Sequence, residues 1–303
     1  MTVRELQAEL LDPAGAQLGE GPAWDAVQGE LVWVDILSGL VVRTAEDGSR
    51  RATLDVGIHV GAVLPAAGGG WLLATADGFR FLHADGRSEQ LLPVEHDRPD
   101  LRFNDAKCDP AGRALAGTMR YDQQPGDGTL YRLDPGPVAS VILSCQGLCN
   151  GLGWSPDGRT FYFNDTLART VSAYAYDPAS GDLGNRREFA RIESRLGAPD
   201  GLCVDDDGCI WVALWHGSAV YRYRPDGSLD TIVRLPVPDA TSVAFGGRGG
   251  DLLYITTAGG PGAGQPAAAG SDGGAGGLYL ATPGVTGPPA TPWRPVPAKS
   301  GPI

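Results

Sequence analysis

The chain of 303 residues lacks several features that mark common classes of protein. No run of apolar residues reaches the length of about 18 that a membrane-spanning helix requires. The first residues, MTVRELQAEL, contain neither the basic start nor the apolar segment of a signal peptide. These absences predict a cytoplasmic protein without a membrane partner.

Cysteine and histidine are both scarce. The five cysteines are an odd number for a disulfide framework and have no histidine at zinc-site spacing, so we expect reduced thiols, most of them buried. The four histidines are scattered without an H-E-x-x-H motif, and His216 is interpreted as a solvated loop residue. No G-x-S-x-G elbow or phosphate-binding loop occurs either. Serine-hydrolase, zinc-peptidase and P-loop chemistry are therefore not indicated.

Basic residues are outnumbered by acidic ones, with 24 Lys and Arg against 36 Asp and Glu. The resulting net charge of −12 argues against a nucleic-acid partner or an anionic membrane surface. It does not exclude a small anionic product, because binding of a small molecule depends on the local charges of its site.

Glycine and proline are abundant, with 45 and 24 residues, which favours short strands and tight turns over long helices. A turn glycine followed by a β-branched or aromatic strand recurs along the chain at intervals of 41 to 50 residues. This period is typical of β-propeller blades with about four strands each. The recurring glycines are Gly29, Gly70, Gly112, Gly158, Gly208 and Gly250. Six of them predict an all-β fold, a six-bladed propeller.

The strand before each of these turns is expected to line the central channel, so equivalent residues on the six strands form a ring. The ring positions are Glu20, Val60, Asn104, Asn150, Asp200 and Thr241. Carboxylate and carboxamide oxygens converging at one end of a channel suit a hard divalent cation. The alternative is that these side chains cap their strands by bonding to backbone or channel water. Spacing alone leaves both interpretations open.

Four motifs in order, LGEGPAWD, RFNDAKCDPAGRALAGTM, CNGLGWSPDGRTFYFNDTL and APDGLCVDDDGCIWVALW, resemble the senescence marker protein/gluconolactonase/luciferin-regenerating family. The resemblance extends from about residue 18 to about 282. It implies a six-bladed propeller with a central metal site that hydrolyses a sugar-acid lactone. The partner is then a small-molecule sugar lactone, either pentonic or hexonic.

The resemblance also implies roles for individual residues. The metal ligands are expected to be Glu20, Asn150 and Asp200, and Asp200 is expected to act also as the general base. The substrate contacts are expected to be Arg102, Asn104 and Asp122, with Asp165 supporting the ligands. The cofactor is one divalent cation, calcium or zinc first, with manganese, magnesium or ferrous iron as further candidates.

Two other functions remain open at the level of sequence. One is hydrolysis of other esters, such as phosphotriesters, by the same site. The other is a non-catalytic propeller that binds a structural cation, although such a scaffold has no need of Arg102, Asn104 and Asp122 beside the ring. The sequence is compatible with a monomer or a small homo-oligomer.

The organisation along the chain is predicted to be one propeller domain over residues 1–282. The N-terminal segment VRELQAELL is expected to add a strand to the final blade and so close the ring. Residues 258–277 read as a Gly/Ala-rich insertion in the last blade, and residues 283–303 as a Pro-rich tail outside the fold.

Overall fold

The computed structural model describes residues 3–134, 138–259 and 274–294. They form strands almost throughout, together with one short 3₁₀ helix, Ser194–Leu196. The strands are β1 (Arg4–Gln7), β2 (Glu9–Asp12), β3 (Gly19–Asp25), β4 (Glu30–Asp35), β5 (Leu40–Ala45), β6 (Arg51–Asp55), β7 (Val60–Pro65), β8 (Trp71–Thr75), β9 (Gly78–Leu82), β10 (Ser88–Pro93), β11 (Leu101–Cys108), β12 (Ala114–Arg120), β13 (Gly128–Asp134), β14 (Val138–Gln146), β15 (Cys149–Trp154), β16 (Thr160–Asp165), β17 (Thr170–Tyr176), β18 (Leu183–Arg191), β19 (Ala198–Val204), β20 (Ile210–Trp215), β21 (Ala219–Tyr223), β22 (Leu229–Arg234), β23 (Ala240–Gly246), β24 (Leu252–Thr257) and β25 (Leu278–Ala281).

These strands build six sheets, which are the six blades predicted from the glycine period. The innermost strands are β3, β7, β11, β15, β19 and β23, and each contacts the innermost strand of the next blade around a closed ring. All six recurring glycines lie in the turn between the first and second strand of a blade. Their φ angles are between 67° and 87°, a region in which glycine avoids the strain of a Cβ atom. The six-bladed propeller is confirmed.

The N-terminal segment contributes to two blades. Strand β2 pairs antiparallel with β25 as the outermost strand of the last blade. Strand β1 pairs parallel with β22 and becomes a fifth strand of the preceding blade, which the sequence did not indicate. Both N-terminal strands thus pair with strands from late in the chain. This pairing covers the outer edges of two blades and closes the ring.

The apolar core lies between neighbouring blades. Trp24 of the first blade stacks on Tyr254 of the last, with ring centroids 6.0 Å apart. Trp211 is fully buried and meets the ring of Phe245 edge-on across the next boundary. Large rings at these boundaries bury much apolar area, which stabilises the packing of the blades against each other.

A β-bulge interrupts the pairing of every innermost strand with its neighbour. The shifts in register fall between Glu20 and Ala23, Val60 and Ala62, Phe103 and Ala106, Cys149 and Leu152, Pro199 and Leu202, and Ala240 and Ser242. Each predicted ring residue lies at or within such a shift. Bulges re-aim side chains, and the six together turn one position per blade toward the channel.

Glycine follows the ring residue in four of the six blades, and at three of these glycines, Gly61, Gly151 and Gly201, the neighbouring innermost strand lies too close for a Cβ atom. A Cβ atom on Gly151 would lie 2.6 Å from the carbonyl oxygen of Asp200, and one on Gly201 would lie 2.0 Å from Oγ of Ser242. The third blade has Asp105 at this position instead. The ring is therefore not uniform, because Asp105 and Ser242 stand where the other four blades have glycine.

The tail expected outside the fold instead crosses the end of the channel opposite the ring, as far as residue 294. Trp293 donates its backbone N–H to Pro65 at 2.7 Å, and Arg294 donates to Gly112 at 3.0 Å. The chain has reached this end at strand β25, so its apolar and proline residues can pack over the inner strands. Residues 260–273 of the Gly/Ala-rich insertion and 295–303 of the tail lie outside the described residues.

All five cysteines lie within the described residues and are free thiols, four of them buried and Cys145 exposed. The described part of the chain has no helix with the length and apolar character needed to cross a membrane.

Candidate functional site

Four of the predicted site residues lie on innermost strands, at the end of the channel where those strands begin. Glu20, Asn104, Asn150 and Asp200 are all buried, with 3 to 6% of their surface exposed. The Nδ2 atom of Asn150 contacts Oδ1 of Asp200 directly. The bulges thus bring an amide and a carboxylate from adjacent blades together, as the ring predicts.

The two predicted ligand carboxylates lie in an environment that opposes their charge. Burial raises the pKa of Glu20 from its ordinary value of 4.5 to about 8, and the nearby charge of Asp105 adds to the effect. Burial likewise raises the pKa of Asp200 well above its ordinary value, reinforced by Glu20 and Asp105. The charge of Asp105 thus acts on both Glu20 and Asp200, and a positive charge near these carboxylates would favour their ionised forms.

Asp105 was not identified from the sequence as a site residue. It is 3% exposed, its Oδ1 accepts the N–H of Ala106 at 2.7 Å, and its Oδ2 has no hydrogen-bond partner among the described residues. Burial raises the pKa of Asp105 above its ordinary value, and the ammonium of Lys107, which donates to the carbonyl of Leu202 at 2.6 Å, opposes this only in part. The sequence marks this position only by a break in the glycine pattern after the ring residue, a break that Ser242 shares.

Arg102 is a buried guanidinium beside this acidic cluster. Its Nη1 donates to Oδ1 of Asn104 at 2.7 Å and to the carbonyl of Phe103 at 3.0 Å, while its Nε has no partner among the described residues. Burial lowers its pKa, an effect opposed by Tyr121, Glu20 and Asp200. Arginine stays charged in proteins, so an oriented cation with a free donor lies next to the predicted ligands.

Asn104 and Thr241 behave partly as the capping interpretation predicts. Asn104 donates to the carbonyl of Cys149 at 3.0 Å while its oxygen is held by Arg102. Thr241 donates to the carbonyl of Gly19 on the next blade at 2.5 Å. Asn150 differs, because its Oδ1 is buried without a hydrogen-bond partner among the described residues.

The residues fit a divalent cation. The orphaned amide oxygen of Asn150 and the carboxylates of Glu20 and Asp200 are oxygen donors with excess negative charge around them. The described residues contain no group of three or more His, Cys, Asp and Glu side chains placed to hold a metal ion. The predicted ligand set consists of two carboxylates and one carboxamide. A site built from such oxygen ligands suits hard cations better than a cysteine or histidine site does.

Asp165 lies close to the site without touching the predicted ligands. It accepts the backbone N–H groups of Gly147, Leu148 and Ala168 and so holds a loop. Its two neighbours take the supporting role. Asn164 donates to the carbonyl of Asp200 at 2.6 Å, and Thr166 donates to the carbonyl of Pro199 at 2.7 Å.

Asp122, predicted to read the substrate hydroxyls, is bound by its neighbour Arg120. Both of its carboxylate oxygens accept from the guanidinium of Arg120 at 2.8 Å, and its side chain is 52% exposed. The preceding residue, Tyr121, lies over Arg102 instead, with the guanidinium carbon 5.7 Å from the ring centroid. His216 is a largely exposed loop residue, as predicted, and its Nδ1 lies 2.6 Å from Asp239.

A cavity of about 320 Å³ occupies the other end of the channel. It is lined by late residues of the inner strands, such as Trp154, Val204 and Phe245, and by the tail at 288–291. Of the acidic residues in the cluster, only Asp105 reaches it. The predicted ligands Glu20, Asn150 and Asp200 do not line this mainly apolar cavity.

The raised pKa values predict how the metal-stripped protein responds to pH. The folded state holds the proton of Glu20 more tightly than the unfolded chain, so its free energy of unfolding falls as pH rises from about 4.5 to about 8. Thermal unfolding of chelator-treated protein should show a Tm several degrees lower at pH 8 than at pH 5. Glu20→Gln should flatten this pH dependence, and an unchanged slope in that variant would contradict the assignment.

Comparison with known proteins identifies the family of the chain and several similar proteins. A family model described as the SMP-30/Gluconolactonase/LRE-like region matches residues 18–259. The chain is 38% identical to regucalcin of Danio rerio over 245 residues, which cover 80% of this chain and 83% of that protein. It is 39% identical to pentonolactonase XacC of Haloferax volcanii over 251 residues, covering 82% and 84%. A solved structure described as the calcium-binding protein regucalcin from Agrobacterium tumefaciens has a TM-score of 0.90 at 26% identity, covering 97% of this chain and 99% of that one.

Proposed function

The chain belongs to the SMP-30/Gluconolactonase/LRE-like family, and we propose that it hydrolyses a sugar-acid lactone to the aldonic acid with the help of one divalent cation. The observation that carries this proposal is the buried cluster of Glu20, Asn150 and Asp200 with the guanidinium of Arg102 beside it. A structural cation site needs the oxygen ligands alone. A hydrolase also needs an oriented donor for the substrate, which Arg102 supplies.

In this reaction water adds to the ester carbonyl carbon, the ring C–O bond breaks, and the alkoxide takes up a proton. Glu20, Asn150 and Asp200 would hold the cation, which when bound polarises the carbonyl and favours loss of a proton from water. Asp200 would accept the proton of the attacking water and return it to the leaving oxygen. Its buried position makes its carboxylate more basic than an exposed one, which suits that role.

Arg102 and Asn104 would bind the substrate oxygens. Arg102 is fixed by Asn104 and the backbone of Phe103, so its remaining donors are oriented before the substrate arrives. Preorganised donors in a water-poor site stabilise developing negative charge without the cost of reorientation. Burial of the whole cluster excludes bulk water that would compete for these bonds.

The similarity to a pentonolactonase makes pentonic lactones the first substrates to test, with hexonic lactones beside them. The oxygen-rich ligand set and the calcium-binding description of a structural neighbour favour calcium as the first cation, with zinc next. Manganese, magnesium and ferrous iron complete the set.

The test is hydrolysis of a panel of aldonolactones by metal-stripped protein with each cation restored separately. We expect little activity before restoration and at least about a hundredfold increase with the native cation, since a Lewis acid contributes several kcal/mol to such reactions. A phosphotriester and an aryl ester serve as control substrates. Faster turnover of either control than of every lactone would overturn the assignment of substrate class, and full activity after complete metal removal would overturn the metal dependence.

A further inference from the structure

In the loop after strand β12, the adjacent residues Tyr121 and Asp122 bind different partners. Arg120 binds both oxygens of Asp122 and also donates to Asp100 and Asp127 at 2.8 and 3.0 Å. Arg98 donates to the same two aspartates, Asp100 and Asp127. This network of charges fixes the loop and keeps the carboxylate of Asp122 occupied.

Tyr121 is held over the site by two contacts. Its hydroxyl lies 2.7 Å from Nδ1 of His59, a residue in the connection before the inner strand β7. The ring of Tyr121 covers the guanidinium of Arg102, and the ring of His59 meets it edge-on with centroids 5.6 Å apart. The backbone N–H of Tyr121 donates to the carbonyl of Asp100 at 3.0 Å, which ties its position to the same charged loop.

The exposure of these residues shows which of them a substrate can reach. Arg102 is 4% exposed, whereas Tyr121 above it is 39% exposed. A molecule that approaches Arg102 from solvent therefore meets the side chain of Tyr121 beside it. Burial and the charge of Arg102 lower the pKa of His59.

We propose that Tyr121, positioned by His59, is the residue that sets substrate preference at this site, in place of Asp122. This inference rests on the proposed lactone hydrolysis. A tyrosine presents one hydroxyl and a flat apolar face, whereas a carboxylate presents acceptors only. The site then selects lactones that combine a hydroxyl within reach of Tyr121 with a C–H face that packs on its ring.

The structure assigns His59 a positioning role that acts through Tyr121. If it works only by holding the tyrosine hydroxyl, losing the histidine and losing the hydroxyl remove the same interaction. The effects of His59→Ala and Tyr121→Phe should then not add in the double variant.

Steady-state kinetics on a pentonolactone and on γ-butyrolactone, which carries no hydroxyl groups, test the proposal. Tyr121→Phe and His59→Ala should each raise KM for the pentonolactone about three- to tenfold, the range expected for one lost hydrogen bond. Tyr121→Ala should raise it further because the ring is lost, with kcat nearly unchanged. None of these variants should change KM for γ-butyrolactone by as much, and the double variant should match Tyr121→Phe.

Two further variants serve as comparisons. Asp122→Asn keeps an acceptor for Arg120 and tests the rival residue directly, and we expect its KM for the pentonolactone to stay close to wild type. Tyr131→Phe is the matched control, because the hydroxyl of Tyr131 bonds to Glu95 at 2.5 Å and has no described contact with Arg102.

The outcomes separate this inference from the proposed function. A larger rise in KM for Asp122→Asn than for Tyr121→Ala, or an unchanged KM in Tyr121→Ala, overturns the role of Tyr121 while lactone hydrolysis stands. Additive effects of His59→Ala and Tyr121→Phe overturn the positioning role of His59. Absence of lactone hydrolysis by the wild-type protein with every cation overturns the proposed function, and the inference with it.

Discussion

Asp200→Asn is expected to lower kcat for lactone hydrolysis at least about a hundredfold, the lower end of what a positioned general base contributes. The substitution keeps the size of the side chain and one oxygen but removes the negative charge and the basic group. Loss of charge weakens cation binding, and loss of basicity slows proton transfer from water. Saturating cation should therefore recover little of the activity.

Stability measurements distinguish this effect from misfolding. Burial disfavours the charged form of Asp200, so a neutral amide should leave the metal-free protein at least as stable as wild type at pH 8. Asp239→Asn is a matched control, because Asp239 is also buried and its charge is felt at Asp200, yet its contacts are with His216. It should keep activity within a few-fold of wild type.

Two results would contradict the assignment of Asp200. Full recovery of kcat at high cation concentration would leave Asp200 as a ligand and remove it as the base. Activity of Asp200→Asn within a few-fold of wild type at ordinary cation concentration would reduce it to a strand cap, since an amide accepts the same hydrogen bonds.

Arg102→Ala is expected to reduce kcat/KM by about a hundredfold or more, as removal of one preorganised donor does in other hydrolases. Cation affinity should be retained or increased, because the positive charge of Arg102 acts on Glu20 and Asp200 and competes with a bound cation. Titration calorimetry of the metal-stripped variant measures this directly.

A second variant guards against structural damage at this buried position. Arg102→Lys keeps the charge but loses the planar fork that reaches Asn104 and the backbone together. It should bind the cation like wild type and recover only part of the activity. A collapse of cation affinity in both variants, with folding intact, would show that Arg102 organises the ligands and does not serve the substrate.

The sequence determined the architecture and most of the site, because both depend on local patterns that repeat. A turn glycine with positive φ and the alternating strand after it are properties of a few adjacent residues, so the glycine period alone counted the six blades. The ring followed from the same period, since equivalent strand positions in a closed propeller share one end of the channel. The period placed Glu20, Asn150 and Asp200 in the ring, and the family resemblance then implied that these three are the cation ligands.

What only the tertiary structure decided depends on residues far apart in the chain. Strand β1 joins β22 because a sheet edge becomes available more than two hundred residues later. The tail packs over the channel, where residues of all six blades line the cavity beneath it. Asp105 joins the acidic cluster because Glu20 and Asp200 approach it across the channel. Asp122 binds Arg120, two residues before it in the chain, whereas its neighbour Tyr121 binds His59, which is 62 residues away and which no local pattern indicates.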